Sequence, residues 1–194
     1  HKFLYDQWFV SSPEPFQRLV HQGMVLGADG RKMSKRRWNI IDPMEVIEKY
    51  GADAVRTYLM FMGPVEQEKV WNDGALAGVN KFLWRIWKVA EQYVHNEKND
   101  LVERALHKAI KWLTDDMEAL KYNTAVSKLM ILLNSIKEQK TITKGQLEQF
   151  MILLFPFAPK TTRTIWENLW NTTDIEYTPW PTFDASMLVD ETIS

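Results

Sequence analysis

Cysteine is missing from the 194 residues, which excludes disulfides, thiolate metal sites and cysteine nucleophiles. The four histidines, His1, His21, His95 and His107, are scattered without metal-ligand spacing, so no metal site is expected. Charge of one sign is lacking too. A formal net charge of −1 means that any contact with a polyanion must come from a local patch. The longest apolar stretches, such as 151–157, are far too short to cross a bilayer, and no membrane partner is expected. No signal peptide opens the chain, so a cytoplasmic setting is expected. There is no G-x-x-x-x-G-K-[ST] and no G-x-G-x-x-G, which argues against a P-loop and a dinucleotide fold. Internal repeats and low-complexity tracts are also absent.

What is there is ordinary in bulk: 45% hydrophobic and 25% charged residues, enough for one substantial domain or one domain plus a piece of another. The opening "HKFLYDQWFV" starts at His1 and reads like the inside of a folded segment. The chain is therefore expected to be part of something longer. That segment reads as a helix ending near Val10, and "SSPEPF" as a turn. "GMVLGADGRKMS" reads as a strand, an Asp-Gly turn and a returning strand or loop. Asp42 before Pro43 is a helix N-cap with proline at the first helical position, and Gly51 ends that helix. A second helix is expected from about Ala52 to Met62.

From Asn72 onward apolar residues recur at spacings of three and four. Val79 to Val94, Val102 to Leu120 and Ala125 to Ile136 each mark one face of a helix. Shorter helices are expected from about Thr143 to Leu154 and from Lys160 to Trp170. The expected fold is mainly α: a helical bundle preceded by a small mixed segment. Trp84, Trp87, Trp112 and Trp166 lie within or beside the apolar stripes, which favours packing over base stacking.

One feature stands out from this background. "GRKMSKRRWN" puts five basic residues into positions 31–37 with no acidic residue between Asp29 and Asp42. A solvated charged turn is the plain reading. The run sits beside a hairpin turn, however, and Lys32 and Lys35 straddle Met33-Ser34. Two ammonium groups three residues apart can clasp one anion, with Ser34 adding a hydroxyl and Met33 anchoring inward. Lysine suits a loop that grips a charge moving during a reaction, such as a polyphosphate leaving group.

"KMSKR" followed by "NIIDPMEVIEKYGADAVRTYLMFMGP" resembles the signature loop and following helices of the class I aminoacyl-tRNA synthetases. "FLYD", "EPFQRLVHQGMVLG", "YNTAVSKLM", "LLFPFAPK" and "PWPTFD" resemble the leucyl group within that class. The resemblance implies a division into four stretches. Residues 1–42 would be the C-terminal end of the α/β catalytic domain, 43–72 stem-contact helices, 73–185 an anticodon-binding-type bundle, and 186–194 a tail toward a further domain. It implies leucine activation by ATP and transfer to tRNA(Leu), with Lys32 and Lys35 catalytic and Lys32, Met33, Ser34, Lys35 and Arg36 binding ATP. Asn39 would fix the loop's exit. Mg²⁺ would share the charge neutralisation in the whole enzyme, with no cofactor held stably by this segment.

Two positions depart from the family pattern: Arg36 replaces its final Ser, and Trp38 replaces its Gly. Trp38 either stiffens the loop or packs on a neighbour. The class's His-x-Gly-His signature is absent, so this chain alone is expected to be inactive. On the bundle, Arg104, Lys108 and Lys111 share a face, and Lys121, Lys128, Lys160 and Arg163 are further candidates for tRNA contact. Asp115, Asp116 and Glu118 weaken that patch. A monomer is expected. The competing readings are the same segment of a valyl, isoleucyl or methionyl enzyme, a stand-alone RNA-binding or adaptor bundle, and a helical module whose basic loop binds an acidic partner.

Overall fold

The computed structural model describes residues 1–188; of the expected 186–194 tail, residues 189–194 lie outside the described part. The chain is mainly helical, and several of its helices begin at a residue whose own side chain caps them. The first, α1 (Lys2–Asp6), ends four residues short of the expected Val10. Beyond it Trp8 sits at φ 61, a left-handed conformation that a continuing helix cannot contain. Asp42 accepts a hydrogen bond from the Met44 N–H at 2.8 Å and starts α2 (Pro43–Tyr50). Gly51, at φ 85, ends it and turns the chain into α3 (Ala52–Phe61).

The bundle proper begins at Asn72, whose side chain caps α4 (Asp73–Gln92) through the Ala75 N–H. Asn99 caps α5 (Asp100–Glu118) through the N–H groups of Leu101 and Val102. Helix α6 (Tyr122–Gln139) follows after a tight turn in which Leu120 takes φ 58. Thr143 and Gln146 form a reciprocal capping box at the start of α7 (Lys144–Leu154). Pro159 opens α8 (Pro159–Asn168).

The core is the set of apolar residues that periodicity marks. Leu76, Val79, Phe82, Leu83, Ile86 and Val89 of α4 meet Val102, Leu106, Ile110 and Leu113 of α5, Ala125 to Ile136 of α6, and Leu147, Phe150, Met151, Leu153 and Leu154 of α7. Three details differ from the expected pattern. The α4 helix stops at Gln92, so Tyr93 is its C-cap and Val94 instead makes a parallel bridge with Ile142. Trp84 is 64% exposed and Trp112 41% exposed, against the expectation that both pack inward. Trp84 follows Leu83 by one residue, so it points about 100° round the helix from it and falls outside the buried arc. Trp166, in contrast, is buried, and its indole donates to the Thr173 carbonyl at 2.7 Å.

The front segment holds one further surprise. The expected hairpin reduces to a single antiparallel bridge, Leu26 to Lys32. The strand β1 (Val25–Leu26) pairs in parallel with β2 (Lys69–Val70), a partner supplied from beyond α3. Gly23 permits the approach: a Cβ there would fall 1.9 Å from the Gln67 carbonyl oxygen. Tyr58, in edge contact with Trp71 at 5.1 Å, accepts the Asn72 N–H at 2.7 Å and ties β2 to the start of the bundle. Burial pushes the Tyr58 phenol above its ordinary value.

Two sequence motifs far apart in the chain meet at α3 and α8. In "YGAD", Asp53 accepts the backbone N–H groups of Lys160 and Thr161, at 3.3 and 2.6 Å. One helical turn on, Arg56 donates to the Pro156 carbonyl and buried Thr57 to the Phe157 carbonyl. Helix α8 has Ala158 at its own N-cap position, with no polar side chain to offer. Helix α3 therefore supplies the cap, from 107 residues away in the chain.

Candidate functional site: a buckled basic loop and the bundle surface

The basic loop is held by one side chain. A turn at 27–30 brings the Gly30 N–H to the Gly27 carbonyl, with Gly30 at φ 71. The Gly27 N–H in turn bonds the Arg31 carbonyl at 2.8 Å. Asn39 then closes the loop from the other side. Its Oδ1 accepts the Ser34 N–H at 2.8 Å, and its Nδ2 lies 3.1 and 3.2 Å from the two Asp29 carboxylate oxygens. The same amide reaches the carbonyls of Arg31 and Lys32 at 3.4 and 3.3 Å. Asp29 is the loop's own anion. The Asn39 amide, and then the Arg31 N–H, hold its carboxyl below the ordinary 3.8.

Met33 is partly buried against the core, as an anchor should be. Ser34 leads into a 3₁₀ turn, Lys35–Arg37, and Trp38 ends it at φ 54 with its backbone in the left-handed region. Its side chain is 94% exposed, so it packs on no described neighbour. Lys32, Met33, Ser34, Arg36 and Arg37 line a concavity of about 690 Å³. Four of the five expected nucleotide-binding residues are thus brought together. Lys35 lies outside that lining, and Arg37, which sequence reasoning did not single out, takes a place in it. Arg31, Lys32, Lys35, Arg36 and Arg37 are all exposed. Among the described residues none of the five side-chain charges forms an ion pair, although Asp29 accepts the Arg31 backbone N–H. Five like charges held by a buckled turn form a field that favours a compact polyanion.

The seven expected contacts on the bundle do not form one patch. Arg104, Lys108 and Lys128 line a shallow groove between α5 and α6 with Trp112. Lys128 is committed to the buried Asp116 carboxylate at 2.6 Å and lies over the Trp112 ring at 5.8 Å. Lys111 pairs with Asp115 at 2.7 Å and lies over the Phe183 ring instead. Arg163 meets Asp174 and Glu176, at 3.6 and 3.3 Å. Lys121 and Lys160 are exposed, at the starts of α6 and α8, and neither lines that groove. A cluster absent from the expected contacts lies on α4: Lys81, Trp84, Arg85 and Lys88. Their spacing of three and four is legible in the sequence, but the Trp beside an apolar stripe points to packing.

The two parts of the chain, a parallel strand pair carrying a buckled basic loop and a helical bundle, are each similar to a part of the class I aminoacyl-tRNA synthetases. Residues 7–72 match the family described as tRNA synthetases class I (I, L, M and V), and residues 99–194 match the anticodon-binding domain of tRNA ligase. Among its curated relatives are leucyl enzymes. The leucine–tRNA ligases of Chlorobaculum parvum and Chlorobaculum tepidum are 42% and 40% identical over 201 residues, covering 100% of this chain. The chain spans about a quarter of the length of these curated relatives, 25% in each case. The agnB2 LeuRS of Agrobacterium radiobacter K84, solved as a ternary complex with tRNA and LeuAMS, superposes with a TM-score of 0.84 at 29% identity, over 97% of this chain and 26% of that one. The Mycobacterium tuberculosis methionyl-tRNA synthetase, in complex with methionyl-adenylate, shares the fold with a TM-score of 0.63 at 16% identity, over 85% of this chain and 40% of that one.

Proposed function

We propose that this chain is the portion of a leucine–tRNA ligase that supplies the phosphate-gripping loop and a tRNA-binding bundle. In that reading residues 1–42 close the catalytic domain, 43–72 carry the stem-contact helices and 73–185 form the anticodon-binding-type bundle. The overall reaction joins the leucine carboxylate to the α-phosphorus of ATP and expels pyrophosphate. The leucyl group then passes from the adenylate to the 3′ end of tRNA(Leu), releasing AMP.

The observation that carries the reading is the concavity of Lys32, Ser34, Arg36 and Arg37, kept open by Asn39. Negative charge grows on the β- and γ-phosphates as the α-phosphorus bond breaks. Fixed cations and a hydroxyl aimed at that position lower the barrier without reorganising. Lys35, one step round the 3₁₀ turn, stands outside the lining and would reach the phosphates only if its flexible stem swings inward. Mg²⁺ would arrive on the nucleotide; no group of three His, Asp or Glu among the described residues stands ready to hold it. A cytoplasmic monomer fits this role; no helix among the described residues is long and apolar enough to cross a membrane.

The test is calorimetric titration of the chain with inorganic tripolyphosphate. Binding that falls about tenfold in Lys32→Ala and again in Arg36→Ala is expected, with a steep salt dependence. Equal affinity in the parent and the double variant would refute the loop as a phosphate site. Leucine-dependent ATP–pyrophosphate exchange by this chain alone should stay at background.

A further inference from the structure

We propose that the outer face of α4 is an RNA-docking surface, with Lys81, Arg85 and Lys88 on phosphates and Trp84 as a stacking platform for a base. The inference rests on the tRNA-binding reading above and moves the principal contact from the α5 face to this one.

The four residues stand at i, i+3, i+4 and i+7 and so occupy an arc of about 100° on the helix. Lys81 and Lys88 lie two turns apart, about 10 Å along the axis, roughly the rise of three nucleotides in a helical strand. The opposite side of α4 is the buried row Phe82, Leu83, Ile86 and Val89, which fixes the arc outward. Lys81, Arg85 and Lys88 are all exposed, and among the described residues none meets a carboxylate; the Arg85 Nε–H donates only to the Lys81 carbonyl, at 3.2 Å. The expected cations elsewhere differ in kind: Lys111, Lys128 and Arg163 are each matched by acidic side chains. Like charges one turn apart destabilise a helix, and this helix keeps three of them around a Trp that is 64% exposed. Glu91 is the acidic side chain nearest along the face, one turn beyond Lys88, and it faces the neighbouring hollow.

That hollow supplies the second half of the surface. It holds about 550 Å³ between α2, α4 and the start of α8, and Trp84 is shared between it and the cationic row. Tyr50, Trp87 and the exposed Lys160 line it. Asp53 already satisfies the N-terminal N–H groups of α8, so the hollow does not offer a bare helix end to an anion. What it offers is aromatic area beside cations. This combination suits single-stranded or splayed nucleotides, whose bases present π faces and whose backbone presents phosphates.

The experiment is filter binding of the chain to an unmodified tRNA(Leu) transcript across a salt series. Parent chain, Lys81→Gln/Arg85→Gln/Lys88→Gln, Trp84→Ala, Trp84→Phe and Lys111→Gln/Lys128→Gln are compared, each checked for unchanged helical circular dichroism. The triple variant should lose at least about tenfold in affinity and flatten the log–log salt slope by about 2. Trp84→Ala should lose about tenfold with the slope unchanged, Trp84→Phe much less, and the α5–α6 control little. A triple variant that keeps parental affinity and slope overturns the α4 surface while leaving the tRNA reading intact. No binding by the parent even at low salt overturns both. Polyglutamate competing as well as tRNA would make the face an acidic-protein site and overturn the proposal.

Discussion

Asp53→Ala should destabilise the chain far more than its position on a short helix suggests. Asp53 is 9% exposed, and its carboxylate accepts two N–H groups from the first turn of α8, the shorter at 2.6 Å from Thr161. Ala158 at the α8 N-cap position cannot replace it. Losing an N-cap costs about 1 kcal/mol, and up to about 2 where the cap is well placed. A carboxylate at a partly buried helix N-terminus adds up to about 1 kcal/mol through the aligned backbone dipoles. The two contributions overlap, so the expected loss is about 2–3 kcal/mol. For a chain of this size that lowers Tm by roughly 5–10 °C. Asp53→Asn keeps an acceptor oxygen and loses the charge, so a loss of about 1 kcal/mol is expected. Urea unfolding followed by circular dichroism measures both, with an unchanged m-value showing that the denatured state is the same. A loss below about 0.5 kcal/mol for Asp53→Ala, the low end for a cap, would refute the view that α3 caps α8 and thereby fixes the front segment on the bundle.

Two further variants concern the loop. Asn39→Ala removes the acceptor for the Ser34 N–H and the donor to Asp29, so exchange of the Ser34 amide should accelerate at least about tenfold. In the parent, Asp29 is held low in the folded state. Its contribution is complete above the ordinary 3.8 and is lost as pH falls through the depressed value. A carboxyl titration by NMR should therefore show Asp29 moving up in Asn39→Ala; an unmoved midpoint would contradict the buckle. Trp38→Gly should be neutral or stabilise by up to about 1 kcal/mol. Relief of the left-handed strain, about 1–2 kcal/mol, is offset by the extra freedom that glycine has in the unfolded chain, about 0.5–1 kcal/mol. A loss above about 1 kcal/mol in urea unfolding would mean that the indole packs on something after all.

The helices were legible because their signals are local. Asn72, Asn99 and Thr143 with Gln146 are caps written next to the apolar rows they start, and each row needs only three- and four-residue spacing. The contacts that join distant parts of the chain were not. Lys69–Val70 is too short to show alternation, and nothing in it names Val25–Leu26 as a partner. Asp53 reads as an ordinary first-turn acid, although its hydrogen bonds are made at Lys160 and Thr161. In the loop, residue types announced an anion site, while the arrangement depended on Asn39 and the 3₁₀ turn, which set Arg37 in the concavity and Lys35 outside it. On the bundle, spacing identified cations that share a face and nearby acids that weaken it, but not the pairs themselves, Lys111 with Asp115 and Lys128 of α6 with Asp116. The exposed Trp84 reads as core because a Trp near an apolar stripe is usually part of it, whereas here it sits just past the stripe's edge.

The loop's role is tested most directly in a chimera that replaces the matching quarter of the Chlorobaculum parvum leucine–tRNA ligase with residues 1–188 of this chain. Leucine-dependent ATP–pyrophosphate exchange is measured with and without Lys32→Ala/Lys35→Ala. The account predicts an active chimera whose exchange rate falls by about a hundredfold or more in the double variant, with the KM for leucine unmoved. Exchange at an undiminished rate without those two ammonium groups would contradict it.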